Sequence, residues 1–113
     1  MQHSMKLGTE PFVAIKEDRK VIESRLYDEK RQQIALGDEI EFSENDHPEN
    51  TLQTRVIGLL RYETFKQLFQ DHDSTMFGGE RNAEQLLEQI KQFYPDEEEQ
   101  KYGVVGFRLE LLD

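Results

Sequence analysis

Four segments of the chain have strand-like patterns, and in three of them hydrophobic and polar residues alternate with the period of two that is typical of a strand with one buried face. In the last segment the hydrophobic side chains recur at every second position from Val105 to Leu111. The segment 51–62 differs because residues 56–60 are hydrophobic on both faces, which predicts a central strand with a bulge or bend at Gly58. The predicted strands are 21–26, 39–43, 51–62 and 104–112.

Helix-start signals precede three further segments. A hydroxyl, an acid and a proline stand together at Thr9-Glu10-Pro11, which suits the first turn of a helix that ends near Asp18. Thr64 has a glutamine three residues later, and Asn82 precedes a hydrophobic stripe that ends before Pro95. We therefore predict three helices, separated from the strands by loops at 44–50 and 71–79 and by an acidic connector at 95–100.

The order of these elements is helix, strands, two helices, strand. The first and last strands share a sheet only if the two ends of the chain meet. The pattern predicts an α+β fold: a small mixed β-barrel with an N-terminal helix and two helices inserted before the last strand. A length of 113 residues suits one domain, which we expect at 6–113 after a flexible N-terminal lead-in at 1–5.

Charge is distributed unevenly along the chain. The net charge is −10, yet residues 1–36 carry seven basic and six acidic residues, while residues 37–50 carry six acidic residues and no basic one. A protein of this charge repels bulk nucleic acid, so any contact with RNA has to be local and within the first third of the chain. The absence of cysteine excludes disulfides and thiolate chemistry and fits a cytoplasmic protein.

Lys20, Glu23 and Arg25 form the densest group of candidate functional residues. Glu23 and Arg25 lie on the same face of the predicted strand, about 6.6 Å apart, and can share a polar ligand or pair with each other. Lys20 at the strand start is either a surface lysine or a desolvated base or nucleophile. We interpret the group as one wall of a ligand cleft.

Four short motifs resemble the ASCH domain family, whose fold is a PUA-like β-barrel. They are Lys20-Val-Ile-Glu-Ser-Arg-Leu26, Asp28-Glu-Lys-Arg31, Gly37-Asp-Glu-Ile-Glu-Phe42 and Tyr102-Gly-Val-Val-Gly-Phe107. The resemblance runs from about Lys6 to the C-terminus. It implies a cleft between barrel and helices, proposed to bind RNA, and ribonuclease activity is also reported for the family, although no residue here can be assigned to it.

One bacterial subgroup of that family hydrolyses the acetyl amide of N4-acetylcytidine with a lysine, a threonine and a glutamate. Carried over by resemblance, the lysine matches Lys20, and the threonine position holds Glu23. The glutamate falls near Glu80, in the loop before the last predicted helix. The resemblance therefore implies catalytic roles for Lys20 and Glu80 and leaves the threonine role unfilled.

Three further residues complete the predicted ligand-binding set. Lys30 and Arg31 lie in a turn and are either a solvated face or contacts to phosphate. Phe77, before two glycines, is either a core residue or a ring that stacks on a base from a mobile lid.

We expect a domain that binds RNA or a modified nucleoside through a local contact. The alternatives are an amidohydrolase acting on an N4-acylated cytidine and a protein-interaction domain that uses its acidic face. No metal site, cofactor or membrane segment is predicted, and we expect a monomer or weak dimer.

Overall fold

The computed structural model describes residues 1–112 as a five-stranded mixed sheet, curved into a half-barrel, with four helices. This confirms the predicted α+β class. The strands are β1 (Gln2–Leu7), β2 (Ile22–Leu26), β3 (Glu39–Glu44), β4 (His47–Tyr62) and β5 (Val104–Leu112). The helices are α1 (Thr9–Lys16), α2 (Phe65–Asp71), α3 (Ala83–Lys91) and α4 (Asp96–Tyr102), with 3-10 turns at Arg31–Gln33 and Ser74–Met76.

The strand order is β1-β3-β4-β5-β2, so the first two strands of the chain are the two edges of the sheet. β1 runs parallel to β3, and the other three neighbouring pairs are antiparallel. The register of β4 against β5 shifts between Val56 and Gly58, which confirms the predicted bulge. A Cβ atom at Gly58 would lie 2.9 Å from Cβ of Arg108, so glycine is required where the strands approach this closely.

Hydrophobic residues pack on both faces of the sheet. On one face, helix α1 packs over Phe42, Val105 and Phe107, which are fully buried. On the other face, α2 and the turn after it cover Ile22 and Val104. Both helices named for capping signals begin as predicted, because the capping boxes at Thr64 and Asn82 are formed.

The N-terminal lead-in predicted at residues 1–5 is wrong, because residues 2–7 form β1. Met5 and Leu7 are buried in the core, and His3 Nε2 lies 2.9 Å from Asp38 Oδ2. Two inward-facing residues are too few to give a strand pattern, and the strand gains its hydrogen bonds from β3, which is distant in sequence.

The acidic connector predicted at 95–100 is also wrong, since it is α4, and three helices instead of two precede the last strand. Four acids from Asp96 to Glu99 occupy its first turn, where they interact favourably with the helix dipole. Glu99 is buried and accepts hydrogen bonds from Lys91 Nζ at 3.1 Å and from the backbone N–H of Phe65 at 3.4 Å. The predicted 44–50 loop is a tight turn at Asn45 and Asp46, after which β4 begins.

The position of Met5 in the core predicts a large loss of stability on truncation. Met5→Ala should lower the free energy of unfolding by about 2–5 kcal/mol, because it removes a buried side chain and leaves a cavity. Ser4→Ala, at the neighbouring exposed position of the same strand, is the matched control and should change it little. Urea unfolding of both variants measures the difference, and equal, small effects would show that β1 is not part of the core.

Candidate functional site

A cleft of about 630 Å³ lies beside the edge strand β2, between the start of α1 and helix α3. Its volume suits a ligand of nucleoside size. One wall is polar and comes from residues 19–25, and the opposite wall is hydrophobic and comes from α2, α3 and the turn that follows α3. Of the predicted site residues, the structure places Lys20, Glu23, Arg25, Phe77 and Glu80 at this cleft.

Glu23 is the centre of the polar wall and is held by two cations. Lys20 Nζ lies 2.9 Å from Glu23 Oε1, and Arg25 Nε donates to Glu23 Oε2 at 2.7 Å. All three side chains are largely buried, with 7–16% of each exposed. We name this group the Lys20–Glu23–Arg25 triad.

Burial of Glu23 acts to raise the pKa of its carboxyl, but the charges of Lys20 and Arg25 act more strongly in the other direction. The result is a pKa lowered from 4.5 to about 2. The carboxylate is therefore ionised at neutral pH and keeps both cations in place. Removing it would leave two buried charges without a partner.

Arg25 also connects the two edges of the sheet. Its Nη2 donates to the backbone carbonyl of Lys6 at 2.9 Å, so the side chain reaches from β2 across the opening of the half-barrel to β1. Burial acts to lower the pKa of the guanidinium, whereas Glu23 and then Tyr94 raise it, and the net direction is upward. The guanidinium is thus a permanent, fixed donor between the edge strands.

The hydrophobic wall includes an exposed aromatic ring from the hydrophobic stripe that the sequence predicts before Pro95. Phe93 lines the cleft with 70% of its surface exposed. Helix α3 ends at Lys91, so the helical period breaks before Phe93 and the ring turns outward. Tyr94 beside it stacks on Phe65 with ring centres 5.7 Å apart. The position at which α3 ends therefore decides that Phe93 is exposed while its neighbour Tyr94 packs against the core.

The rim of the cleft carries two further ion pairs, which join α1 and the turn after it to the segment before α3. Glu10 contacts the guanidinium of Arg81, and this hydrogen bond lowers the pKa of Glu10 despite partial burial. Arg19 donates to Glu80 Oε1 at 3.4 Å, with both side chains substantially exposed. Glu80 therefore lies at the entrance of the cleft, and its exposed ion pair contributes little to stability.

The lining of the cleft is locally cationic although the protein is strongly acidic. Four basic residues and three acidic residues line it, which gives a formal charge of +1 in a chain of −10. The three carboxylates each contact a basic residue, so the cleft holds no isolated negative charge.

Phe77 and the 71–79 loop are held by packing and hydrogen bonds, whereas a mobile lid would have few such contacts. The ring is 7% exposed and packs edge-to-face on Phe69 with centres 5.0 Å apart. The backbone N–H of Val21 donates to the carbonyl of Met76 at 2.9 Å, and the backbones of Lys20 and Phe77 form an isolated antiparallel β-bridge. This geometry favours the core interpretation of Phe77, and Phe93 is the ring available for stacking.

Lys30 and Arg31 are not in the cleft. They line a second cavity on the other side of Arg25. Arg31 Nη1 lies 2.7 Å from Asp28 Oδ2 and only 16% of its side chain is exposed, so Arg31 is paired and largely buried and is not simply part of a solvated face.

Within residues 1–112, no group of three or more His, Asp or Glu side chains is arranged to hold a metal ion. In the same part of the chain, none of the helices has the length and hydrophobicity needed to cross a membrane.

Two kinds of comparison place these features among known proteins. The sequence profile of the ASCH domain matches residues 5–113. The crystal structure of hypothetical protein PH0355 superimposes with a TM-score of 0.88 at 36% identity, covering 99% of this chain and 100% of that one. The solution NMR structure of protein PF0455 from Pyrococcus furiosus gives 0.79 at 35% identity, covering 100% and 99%. No curated protein matches the sequence.

The lowered pKa of Glu23 predicts a pH-dependent contribution to stability. Folding lowers this pKa from 4.5 to about 2, so the ionised carboxylate stabilises the fold above pH 4.5, and this contribution is lost as the pH falls toward 2. The stability difference between wild type and Glu23→Gln should therefore shrink by roughly 3 kcal/mol between pH 7 and pH 2.

Urea unfolding of the two proteins across this pH range measures the difference. Glu88→Gln, at an exposed position without an ion pair in residues 1–112, is the matched control and should track wild type throughout. A wild-type-to-Glu23→Gln difference that stays constant with pH would contradict the assignment of Glu23 as the ionised centre of the triad.

Proposed function

The chain belongs to the ASCH domain family, and on that basis we propose that it binds RNA or a modified nucleoside in the cleft between β2 and α3. The observation that carries the proposal is the triad, a buried ionised carboxylate fixed by two cations in the wall of a nucleoside-sized cavity. Burying a charge costs desolvation free energy, and a fixed group of buried charges in a cleft is a recurring property of binding sites.

The carboxylate of Glu23 has acceptor capacity left for a ligand. An ionised carboxylate has about four lone-pair positions, and each oxygen of Glu23 contacts one cation. A base with an exocyclic amine, or a ribose hydroxyl, can donate to the remaining positions. A phosphate cannot donate and would be repelled, so the triad suits a nucleoside better than the nucleic-acid backbone.

The opposite wall offers a surface for the flat face of a base. Phe93 is exposed, and Tyr94 and Ile90 continue the hydrophobic surface into the cleft. Recognition of unpaired RNA bases commonly combines stacking on an aromatic ring with hydrogen bonds to the base edge. The two walls of this cleft supply one of these interactions each.

Removal of the exposed ring tests the stacking contact. Phe93→Ala should weaken binding of a mixed-sequence single-stranded RNA pentamer by roughly 5- to 150-fold, because stacking on one base contributes about 1–3 kcal/mol. Leu36→Ala is the matched control, since Leu36 is also a large exposed hydrophobic residue and does not line the cleft. Fluorescence anisotropy at constant, low salt measures both affinities.

Arg25→Lys extends the test to the polar wall because it keeps the charge and removes the planar fork of the guanidinium. An RNA affinity that is unchanged in both Phe93→Ala and Arg25→Lys would place the RNA outside the cleft and overturn the proposal.

A second candidate function is hydrolysis of an acylated cytidine, favoured by the placement of Lys20 and Glu80 at the same cleft. In this reaction Lys20 would act as base or nucleophile, and Glu80 at the entrance would carry protons to the leaving amine. Glu23 replaces the family's threonine and binds Lys20 Nζ at 2.9 Å, so this ion pair has to open before Lys20 can react.

Incubation with N4-acetylcytidine tests the enzymatic alternative, and chromatography measures the cytidine that is released. An amidohydrolase should release cytidine at a rate that falls at least 100-fold in Lys20→Ala, a typical effect of losing a general base. Turnover by wild type that does not exceed that of Lys20→Ala would exclude this activity for this substrate.

A further inference from the structure

A second cavity of about 400 Å³ opens on the other side of Arg25, at the edge strand β1. Its polar lining consists of four basic residues and two hydroxyl residues, without an acidic residue: Ser4, Lys6, Arg25, Lys30, Arg31 and Ser43. The formal charge of this lining is +4, in a chain whose net charge is −10. Such a concentration of positive charge opposes the overall field of the protein and is the electrostatic requirement of an anion site.

The charges of this cavity are only partly neutralised by neighbouring residues. Arg25 pairs with Glu23 and Arg31 pairs with Asp28. Lys6 and Lys30 form no ion pair within residues 1–112, so two of the four charges remain available to an anion.

Arg31 contributes a buried donor that has no partner. Its Nη1 contacts Asp28, and the backbone N–H of Arg31 donates to the same carboxylate at 3.1 Å, which fixes the side chain. The Nε–H is buried and makes no hydrogen bond within the described residues. Buried donors are nearly always satisfied, and Arg31 is one of the residues that line the basic cavity, so an anion bound there would supply the acceptor that this N–H lacks.

The sheet register brings the remaining donors to the same place. Lys6 of β1 pairs directly with Ser43 of β3, so their side chains project from one face of the sheet. Ser4, two residues before Lys6, lies on that face as well. The cavity therefore presents ammonium, guanidinium and hydroxyl donors, and phosphate oxygens are acceptors that match all three.

We propose that this cavity binds one phosphate group of the RNA whose nucleoside occupies the cleft. This inference rests on the proposed function and assigns the two parts of one ligand to two cavities. Arg25 lines both of them, with Glu23 on the cleft side and the basic cavity beyond. Glu23 repels a phosphate from the cleft, while the basic cavity attracts it. The ligand therefore has one favoured orientation, with its nucleoside in the cleft and its phosphate on the other side of the Arg25 guanidinium.

The first experiment uses inorganic phosphate and the unmodified protein. Phosphate titrated at constant ionic strength should shift the NMR resonance of Arg31 Nε–H in a saturable way, whereas chloride should not. A resonance that does not respond would overturn the proposal, since this donor is the buried feature that the anion is meant to satisfy.

The second experiment compares affinities for the RNA pentamer. Arg31 is left intact because it holds the turn through Asp28, and the test variant is the double substitution Lys6→Gln with Lys30→Gln. This variant should bind RNA at least fivefold more weakly at low salt, and the slope of log Kobs against log salt should decrease in magnitude by about 0.7, the loss of one neutralised phosphate. Lys66→Gln, an exposed lysine that lines neither cavity, is the matched control.

The outcomes separate this inference from the function on which it rests. RNA binding that is equal in the double variant and in Lys66→Gln overturns the inference and leaves the cleft proposal intact. If phosphate shifts Arg31 Nε–H but wild type binds no RNA, the proposed function fails, and with it the assignment to RNA, and the cavity is a site for a free oxyanion. Weaker RNA binding together with a smaller salt slope, seen in the double variant and not in Lys66→Gln, supports the assignment.

Discussion

The side chain of Arg25 connects the two edges of an open sheet. A half-barrel leaves two edge strands with unpaired backbone groups, which natural proteins cover or connect. Here one guanidinium reaches from β2 to the carbonyl of Lys6 in β1, while its Nε is held by Glu23. The buried charge of Arg25 is tolerated because Glu23 is ionised, and Glu23 is ionised because Arg25 and Lys20 contact it. The three residues therefore form one cooperative unit.

This unit divides the opening of the half-barrel into two cavities of different chemistry. The cleft toward α3 combines a carboxylate acceptor with an exposed aromatic ring, which suits a nucleoside. The cavity toward β1 contains basic and hydroxyl donors only, which suits a phosphate. A strongly acidic protein can bind an acidic polymer at such a place, because the attraction is local and the remaining surface repels other contacts.

The sequence predicted strands β2 to β5 and the grouping of Lys20, Glu23 and Arg25, because alternation and spacing are local properties. Strand β5 has the predicted bounds, and Lys20, Glu23 and Arg25 line one cleft. Strand β1 was missed because its hydrogen bonds come from a distant strand and only two of its side chains enter the core. The exposure of Phe93 depends on where α3 ends, a boundary that helical spacing alone does not define.

The most direct measurement is an NMR structure of the protein with bound single-stranded RNA. We expect intermolecular NOEs between base protons and the ring of Phe93, together with a large shift of the Arg25 Nε–H resonance. A complex whose NOEs come from other surfaces, with the Phe93 ring and Arg25 Nε–H unchanged, would contradict the central claim that the triad and the ring across the cleft form the ligand site.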